Sequence, residues 1–353
     1  QNDGRGCHEN NICGQRSWEG DFPMKDLKIL VVGCGSIGER HIKNLLSLGI
    51  KKLSAYDSDA KRLKYVGEKY GVEIEKNLES ALAKKPDGAL ICTPPVNHVP
   101  LARQALHAGA NVFIEKPLSH SMDGVDEIIE EAEKKGLIIS VGYNFRFHPG
   151  MRLVKKIIES GEIGKVMFGR AQAEQYLPDW RPWQDYRKSY TARKEMGGGI
   201  ILDGSHEIDY MRWLLGNVNE VFCFAGKLSP LEINVEDTAS ILMKHEKNKL
   251  SNVHIDFVRR DYSRMCEIVG EEGTVVWSFP AGSVRVFLAK NKKWRNVYRG
   301  CDWNRMYVEE MRHFIKCLEG KDRPEVNGEE GKMTLEIALA AKLSAKTGRV
   351  VRV

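Results

Sequence analysis

From Lys28 onward, short apolar runs alternate with amphipathic stretches. "LKILVVG" precedes "SIGERHIKNLLSLG", "KLSAYD" precedes "DAKRLKYVGEKYG", "GALICTPP" precedes "HVPLARQALHAG", "NVFIEKP" precedes "SMDGVDEIIEEAEKKG", and "LIISVGYNF" closes the series. Nearly continuous apolar runs suit strands buried on both faces, and the stretches between them carry apolar residues at helical spacing. The pattern predicts a doubly wound α/β domain with a parallel sheet over residues 24–145.

Beyond residue 145 the periodicity changes. "MRLVKKIIESG" reads as a helix, and "KVMFGRAQAEQYL" leads into a loop dense in aromatics and arginines, "PDWRPWQDYRKSYTARKE". "GGGIILDGSHEIDYMRWLLG" then reads as one glycine-led amphipathic helix. Between Val221 and Tyr298 a period of two dominates, as in "TASILMKHE" and "SVRVFLAK", and this predicts antiparallel strands. Two helical stretches, "NRMYVEEMRHFIKCLEG" and "KMTLEIALAAKLSAKTG", close the chain. Residues 146–353 are therefore expected to form an α+β domain with a mostly antiparallel sheet.

Composition narrows the class. At 353 residues with 42% apolar positions, the chain can bury two cores. The formal charge of +6 is spread over mixed-sign helical faces, without a polybasic block, which argues against nucleic acid as a partner. No apolar run reaches the ~20 residues of a membrane-spanning helix. Eight scattered cysteines, none in C-x-x-C spacing, are expected to be reduced, and with no metal-ligand spacing no metal is expected. A cytoplasmic protein without membrane attachment follows as the expectation. Residues 1–23 are polar and lack an apolar signal core, so they are expected to be a poorly ordered extension, with Met24 starting the folded part.

"VVGCGSIGERH" places Gly33, Gly35 and Gly38 in G-x-G-x-x-G spacing between a strand and a helix, with Ser36 and Ile37 in its first turn. The spacing alone also fits an ordinary turn. In this context it is a dinucleotide fingerprint, in which backbone N–H groups at a helix N-terminus meet a pyrophosphate. Asp57 ends the second strand 19 residues past Gly38, where a carboxylate accepts hydrogen bonds from an adenosine ribose and repels a 2′-phosphate. NAD is thereby favoured over NADP, although Lys61 and Arg62 leave NADP open. Thr93, Pro94, Asn97 and His98 follow the next strand, and Glu115 and Lys116 end the one after it. Both groups lie at strand carboxyl ends, where such sheets bind ligands. Asn97 reads equally well as a helix cap.

The glycine fingerprint, "CTPPVNH", "EKP", "GYNFRFHP" and "GGGIILDGSHEID" occur in this order over almost the whole chain after Met24. Together they resemble the glucose-fructose oxidoreductase/inositol dehydrogenase (Gfo/Idh/MocA) family. The resemblance implies an N-terminal Rossmann domain, a C-terminal domain whose open sheet mediates contacts in a homodimer or homotetramer, and NAD(P)-dependent oxidation or reduction of sugars, cyclitols and related compounds. It further implies that Lys116 touches cofactor and substrate, and that Asp203 and His206 are the acidic and histidine positions of the second domain. His206 follows Asp203 by three residues, whereas the commoner family pattern has four.

Oxidising a secondary alcohol by hydride transfer needs a proton acceptor and a carbon held ~3–3.5 Å from the nicotinamide. His206, with an ordinary pKa of ~6.5, suits the first task. Lys116 would steady the reacting oxygen and Asp203 would hold Lys116 or the substrate. The lysine itself as the base remains open. Asn144 and Arg146, at the domain junction, are expected at cofactor or substrate or else to fasten the two domains together, and Arg181 in the aromatic loop is expected at a carboxylate or phosphate of the substrate, a sugar acid or nucleotide sugar, or else in ordinary surface charge pairing. Asp209 is expected either to orient the His206 ring or to be exposed. Two other readings stay open: a relative that uses tightly held NAD for transient oxidation in hydrolysis or elimination, and a non-catalytic nucleotide sensor.

Overall fold

The computed structural model describes residues 26–300 and 302–353. Residues 1–23, read above as an extension, lie outside the described residues. The first sheet contains β1 (Lys28–Val32), β2 (Lys52–Tyr56), β3 (Glu73–Ile74), β4 (Gly88–Ile91), β5 (Asn111–Glu115) and β6 (Ile139–Gly142). All are parallel, in the order β3-β2-β1-β4-β5-β6. The order reverses between β1 and β4, so the glycine loop after β1 and the loop after β4 flank a crevice at the strand carboxyl ends.

The apolar runs are continuous because both faces of the sheet are covered. On one face Ile29, Val31, Leu90 and Phe113 pack against α1 (Ser36–Ser47) and α2 (Ala60–Tyr70). On the other, Leu30, Val32, Ile91 and Ile114 meet α3 (Leu78–Ala83), α4 (His98–His107) and α5 (Val125–Lys135). Helix α2 begins where the Asp59 side chain accepts the Lys61 and Arg62 N–H groups. It ends at Gly71, whose φ of 65° lies in the left-handed region.

After β6 come α6 (Pro149–Glu159), β7 (Val166–Glu174), the short α7 (Leu177–Trp180), α8 (Ile200–Asp203) and α9 (Ser205–Leu215). Strands β8 (Val218–Gly226), β9 (Thr238–His245), β10 (Leu250–Asp256), β11 (Ser263–Gly270), β12 (Gly273–Ser278), β13 (Ser283–Leu288) and β14 (Lys293–Arg299) follow. Then come α10 (Arg305–Leu318), α11 (Gly328–Thr347) and β15 (Val351–Arg352). Strands β7 to β15 make a nine-stranded sheet in which β7 and β10 alone pair in parallel. Its alternation is plain in β9, where Ala239, Ile241 and Met243 are buried beneath helices and Ser240, Leu242 and Lys244 point outward. The outer face stays open and exposes Phe224, Leu242 and Leu250.

The fold class expected from periodicity is therefore the one adopted: a Rossmann sheet followed by a mostly antiparallel open sheet. Two features needed coordinates. Helix α10 returns from the far end of the chain to the first sheet, burying Met311, Phe314 and Ile315 against Phe113 and its neighbours. The stretch after α10 protects the sheet edge, because Val141 donates its N–H to Val326 at 2.9 Å beside β6. Among the described residues no helix is long and apolar enough to cross a membrane, and Cys34, Cys92, Cys223, Cys266 and Cys317 are free and buried.

Candidate active site

The glycine loop fits a dinucleotide diphosphate by what it excludes and what it leaves open. Gly33 has φ +94°, and a Cβ on it would lie 2.7 Å from the Cys92 carbonyl oxygen. A Cβ on Gly38 would lie 1.9 Å from the Gly33 carbonyl oxygen, so helix α1 can approach the turn this closely only with glycine there. Above Gly35, by contrast, the nearest group is the Arg62 guanidinium at 3.8 Å, which leaves room over the N–H groups that open α1. Ser36 is exposed and Ile37 half-buried on that first turn. Asp57 accepts the Cys34 N–H on Oδ2 at 2.6 Å and the Asp59 N–H on Oδ1 at 2.7 Å. Each oxygen keeps a lone pair for a ribose hydroxyl.

At the far side of the crevice, Lys116 projects from the end of β5. Its Nζ donates to the Asp203 carbonyl oxygen at 2.7 Å and to Asp203 Oδ1 at 3.0 Å. Tyr190 donates its hydroxyl to the same Oδ1 at 2.9 Å, while Oδ2 is buried with no partner. Burial works to raise the Asp203 pKa, but Lys116, Thr191 and Tyr190 outweigh it and hold the carboxyl below its usual range. Tyr190 is pushed well up by burial and by the Asp203 charge.

His206 sits beside this cluster, its ring edge-on to Phe145 at 5.0 Å and to Tyr143 at 5.7 Å, with Nδ1 buried and unpartnered. Burial first, then the charges of Lys116 and Arg264, depress its proton affinity well below the usual value, so the imidazole is neutral. Asp203 and His206 do not share one continuous helix, as the sequence pattern suggested. Helix α8 ends at Asp203 and α9 starts at Ser205. A Cβ on Gly204 would meet Ile255 at 2.8 Å, so the chain turns there against β10.

Several expected site residues are committed elsewhere. Arg146 does not face the crevice: its Nε and Nη2 donate to Asp209 at 2.9 and 2.7 Å and its Nη1 to Glu330 at 2.8 Å, in a nearly buried cluster tying the junction to α9 and α11. Asp209 therefore neither orients His206 nor reaches solvent. The His98 ring is fully buried, its two nitrogens 2.8 Å from the Pro117 and Thr93 carbonyl oxygens. It joins the β4 and β5 loops instead of meeting a ligand. Glu115 is paired with His41 of α1 at 2.6 Å and accepts the Lys116 N–H at 3.2 Å. It fixes the strand end that presents the lysine.

Thr93 packs behind Gly33, Pro94 is half-buried, and Asn97 is exposed with no capping hydrogen bond. Asn144 is buried with Oδ1 unpartnered. In the aromatic loop Arg187 is paired to Asp185 at 2.8 Å, and Trp180 packs on Phe257 with its indole N–H given to Gln175. The Arg181 side chain makes no hydrogen bond or ion pair with any described residue, and its charge bears on the Tyr190 hydroxyl. Sequence reasoning missed Tyr190, Tyr143 and Arg264. Tyr190 left a signal as the last aromatic of a loop already picked out for its arginines, and Tyr143 as a member of the quoted "GYNFRFHP" block.

Comparison with known proteins places these residues in context. The description "Oxidoreductase family, NAD-binding Rossmann fold" matches residues 27–143, and "GFO/IDH/MocA C-terminal domain" matches residues 151–276. The chain is 32% identical to a myo-inositol 2-dehydrogenase of Thermotoga maritima, over 92% of this chain and 98% of that protein. It is 26% identical to a D-apiose dehydrogenase of Paraburkholderia graminis, over 93% and 90%. Among solved structures, levoglucosan dehydrogenase in complex with NADH and L-sorbose superposes with a TM-score of 0.85 at 20% identity, covering 93% of this chain and 99% of the other, a likeness of fold.

The junction cluster is testable on its own. Replacing Arg146 by Met leaves Asp209 buried without its counter-charge, and the expected loss of unfolding free energy is about 3–5 kcal/mol in urea titrations. A loss below about 1 kcal/mol would show that the pair is as weak as an exposed one.

Proposed function

The chain belongs to the GFO/IDH/MocA family of NAD-binding oxidoreductases, and from that premise we propose that it transfers a hydride between nicotinamide and a hydroxyl-bearing carbon of a sugar, sugar acid or cyclitol. The observation that carries this reading is the meeting of Lys116, Asp203, Tyr190 and His206 in one crevice beside the glycine loop. NAD, when bound, supplies the hydride acceptor, and its diphosphate would be held by the N–H groups of residues 35–38, with Asp57 at the ribose. The curated relatives above act, by their names, on inositol and apiose, which supports a polyhydroxylated substrate.

The side chains divide the remaining work. Lys116 spends two of its three N–H donors on Asp203, so one is left to hold the substrate oxygen and steady negative charge there. Asp203 and Tyr190 fix that ammonium, and the unpartnered Asp203 Oδ2 can accept a neighbouring hydroxyl. His206, neutral in its aromatic setting, takes the hydroxyl proton. The free Arg181 guanidinium at the loop suits a carboxylate or phosphate on the substrate. In this reading residues 24–145 form the cofactor domain and residues 146–353 the substrate domain, although α10 packs on the former. The enzyme would work in the cytoplasm as a homodimer or homotetramer, associating through the exposed apolar side chains of the open sheet.

Screening sugars, sugar acids and cyclitols for a change of absorbance near about 340 nm tests hydride chemistry directly. Lys116→Ala should lose roughly 10²–10³-fold in kcat while NADH binding, followed by fluorescence, persists; undiminished turnover would remove the lysine from the reaction. Because the His206 pKa is depressed, its neutral, proton-accepting form persists as pH falls through ~6.5, the ordinary histidine value. A kcat/KM profile for alcohol oxidation should therefore stay flat there and decline only at lower pH, and an inflection at the ordinary value would show that the buried setting does not depress the His206 pKa in the working enzyme. Asp57→Ala should reduce the preference for NAD over NADP by about tenfold, the loss of one hydrogen bond to a charged group. An unaltered ratio of kcat/KM values would assign cofactor choice to Arg62 or another group.

A further inference from the structure

A second set of chemically capable side chains lies on the outer face of the nine-stranded sheet. Residues 254 and 256 alternate onto the same face of β10, and the parallel register sets Asp256 beside Glu174 of β7. Glu174, His254 and Asp256 thus each offer one ligand atom within 4.8 Å of the others. Among the described residues no other trio of His, Cys, Asp and Glu does so.

The three groups stand around one point, with His254 in loose ion-pair contact with both carboxylates. His254 Nε2 is 3.4 Å from Asp256 Oδ2 and 3.8 Å from Glu174 Oε1, both longer than an ordinary N–H···O bond. These separations are close to the ~3.4 Å edge of a tetrahedron whose centre lies ~2.0–2.1 Å from nitrogen and oxygen ligands. The Asp256 side chain is only 6% exposed, and its Oδ2 is turned toward that point.

Each remaining polar atom of the trio is held from behind. Ser240 Oγ is 2.7 Å from His254 Nδ1. Asp256 Oδ1 accepts the Val258 and Arg259 N–H groups at 2.8 Å. Glu174 Oε2 takes Gln172 Nε2 at 3.1 Å and Arg259. Such outer contacts orient metal ligands.

Charge points the same way. Arg259 also pairs with Asp261 at 2.9 Å. Glu174 and Asp261 share that one guanidinium and Asp256 pairs with His254, so three carboxylates outnumber the nearby cationic groups, an excess of negative charge that suits a further cation.

We propose that Glu174, His254 and Asp256 bind a first-row divalent transition-metal ion of the zinc class, with water on the side left open by the partly exposed His254. One nitrogen and two carboxylate oxygens suit such an ion better than magnesium or calcium, which prefer all-oxygen sets. The ion would tie the segments that leave β7 and β10, Gln175–Trp180 and Phe257–Tyr262, to the sheet.

The test uses the whole purified chain, stripped with chelator, then titrated with zinc chloride by calorimetry and measured for retained zinc after desalting. The expected result is one zinc per chain, with at least tenfold weaker binding in His254→Gln and in Asp256→Asn. Ser240→Ala keeps all three ligands and should bind several-fold more weakly, which guards against a failure of the other variants to fold. Lys116→Ala should bind zinc as the parent does. No retained zinc, or retention that His254→Gln, Asp256→Asn and Ser240→Ala all leave unchanged, overturns the site, whatever the outcome for hydride transfer.

Discussion

The contact on which the site depends is the one between Lys116 Nζ and Asp203. It joins the end of a Rossmann strand to the first turn of a helix that covers the other sheet. Its partners differ in exposure: the Lys116 side chain is 15% exposed and that of Asp203 2%. At such burial the loss of hydration roughly cancels the attraction, and apolar residues of similar size would hold two lobes together at least as well. Its value therefore lies in placement. The ammonium is oriented by a carbonyl and a carboxylate together, so its third donor has one direction left to it.

That placement requires the lobes to keep their relation to each other, and the rigidity comes from behind the site. The Arg146 cluster locks the junction to α9 and α11, α10 folds back onto the first sheet, and the stretch near Val326 closes the β6 edge. On the nucleotide side Glu115 links β5 to α1 through His41, so the glycine loop and the lysine are fixed to each other by one buried hydrogen bond. Arg146 and Glu115 thus act as a frame for the crevice, holding the elements that present Lys116 and the glycine loop.

The difference shows what a sequence can reveal. Strand and helix order, the glycine turn and the change to a period of two follow from local rules of backbone and burial, and they were legible. Lys116, Asp203 and His206 were singled out through ordered motifs and the fold brings them together, yet spacing could not show that Gly204 divides the helix or that Tyr190 closes on Asp203. For Arg146, His98 and Glu115 the sequence could not choose between readings, because a polar residue near a strand end reads the same whether it faces the crevice or a buried partner. Direction is set by neighbours distant in the chain, such as Asp209 for Arg146 and His41 for Glu115. The Glu174, His254 and Asp256 trio left no motif at all, since its members come from two strands 82 positions apart in register.

Where buried polar atoms lack partners, their distribution carries meaning. Native proteins pair such atoms almost completely, because an unpaired one forfeits hydration worth about 1–3 kcal/mol. Here Asp203 Oδ2, His206 Nδ1 and Asn144 Oδ1 are all unpartnered, and the first two lie around Lys116. Packing alone would have removed them: an aliphatic side chain at 206 would fill the space between Tyr143 and Phe145 without an orphaned nitrogen. The same desolvation that makes His206 costly to bury keeps it neutral and able to accept a proton. A polyhydroxylated ligand has hydroxyl donors and acceptors at each carbon, so it can complete several such atoms at once, whereas water that enters with the crevice open must be displaced as the ligand binds. On the proposed reading, the unfavourable term in the free protein becomes favourable only when a ligand of that chemistry is bound, which makes these orphaned atoms a basis for selecting the substrate.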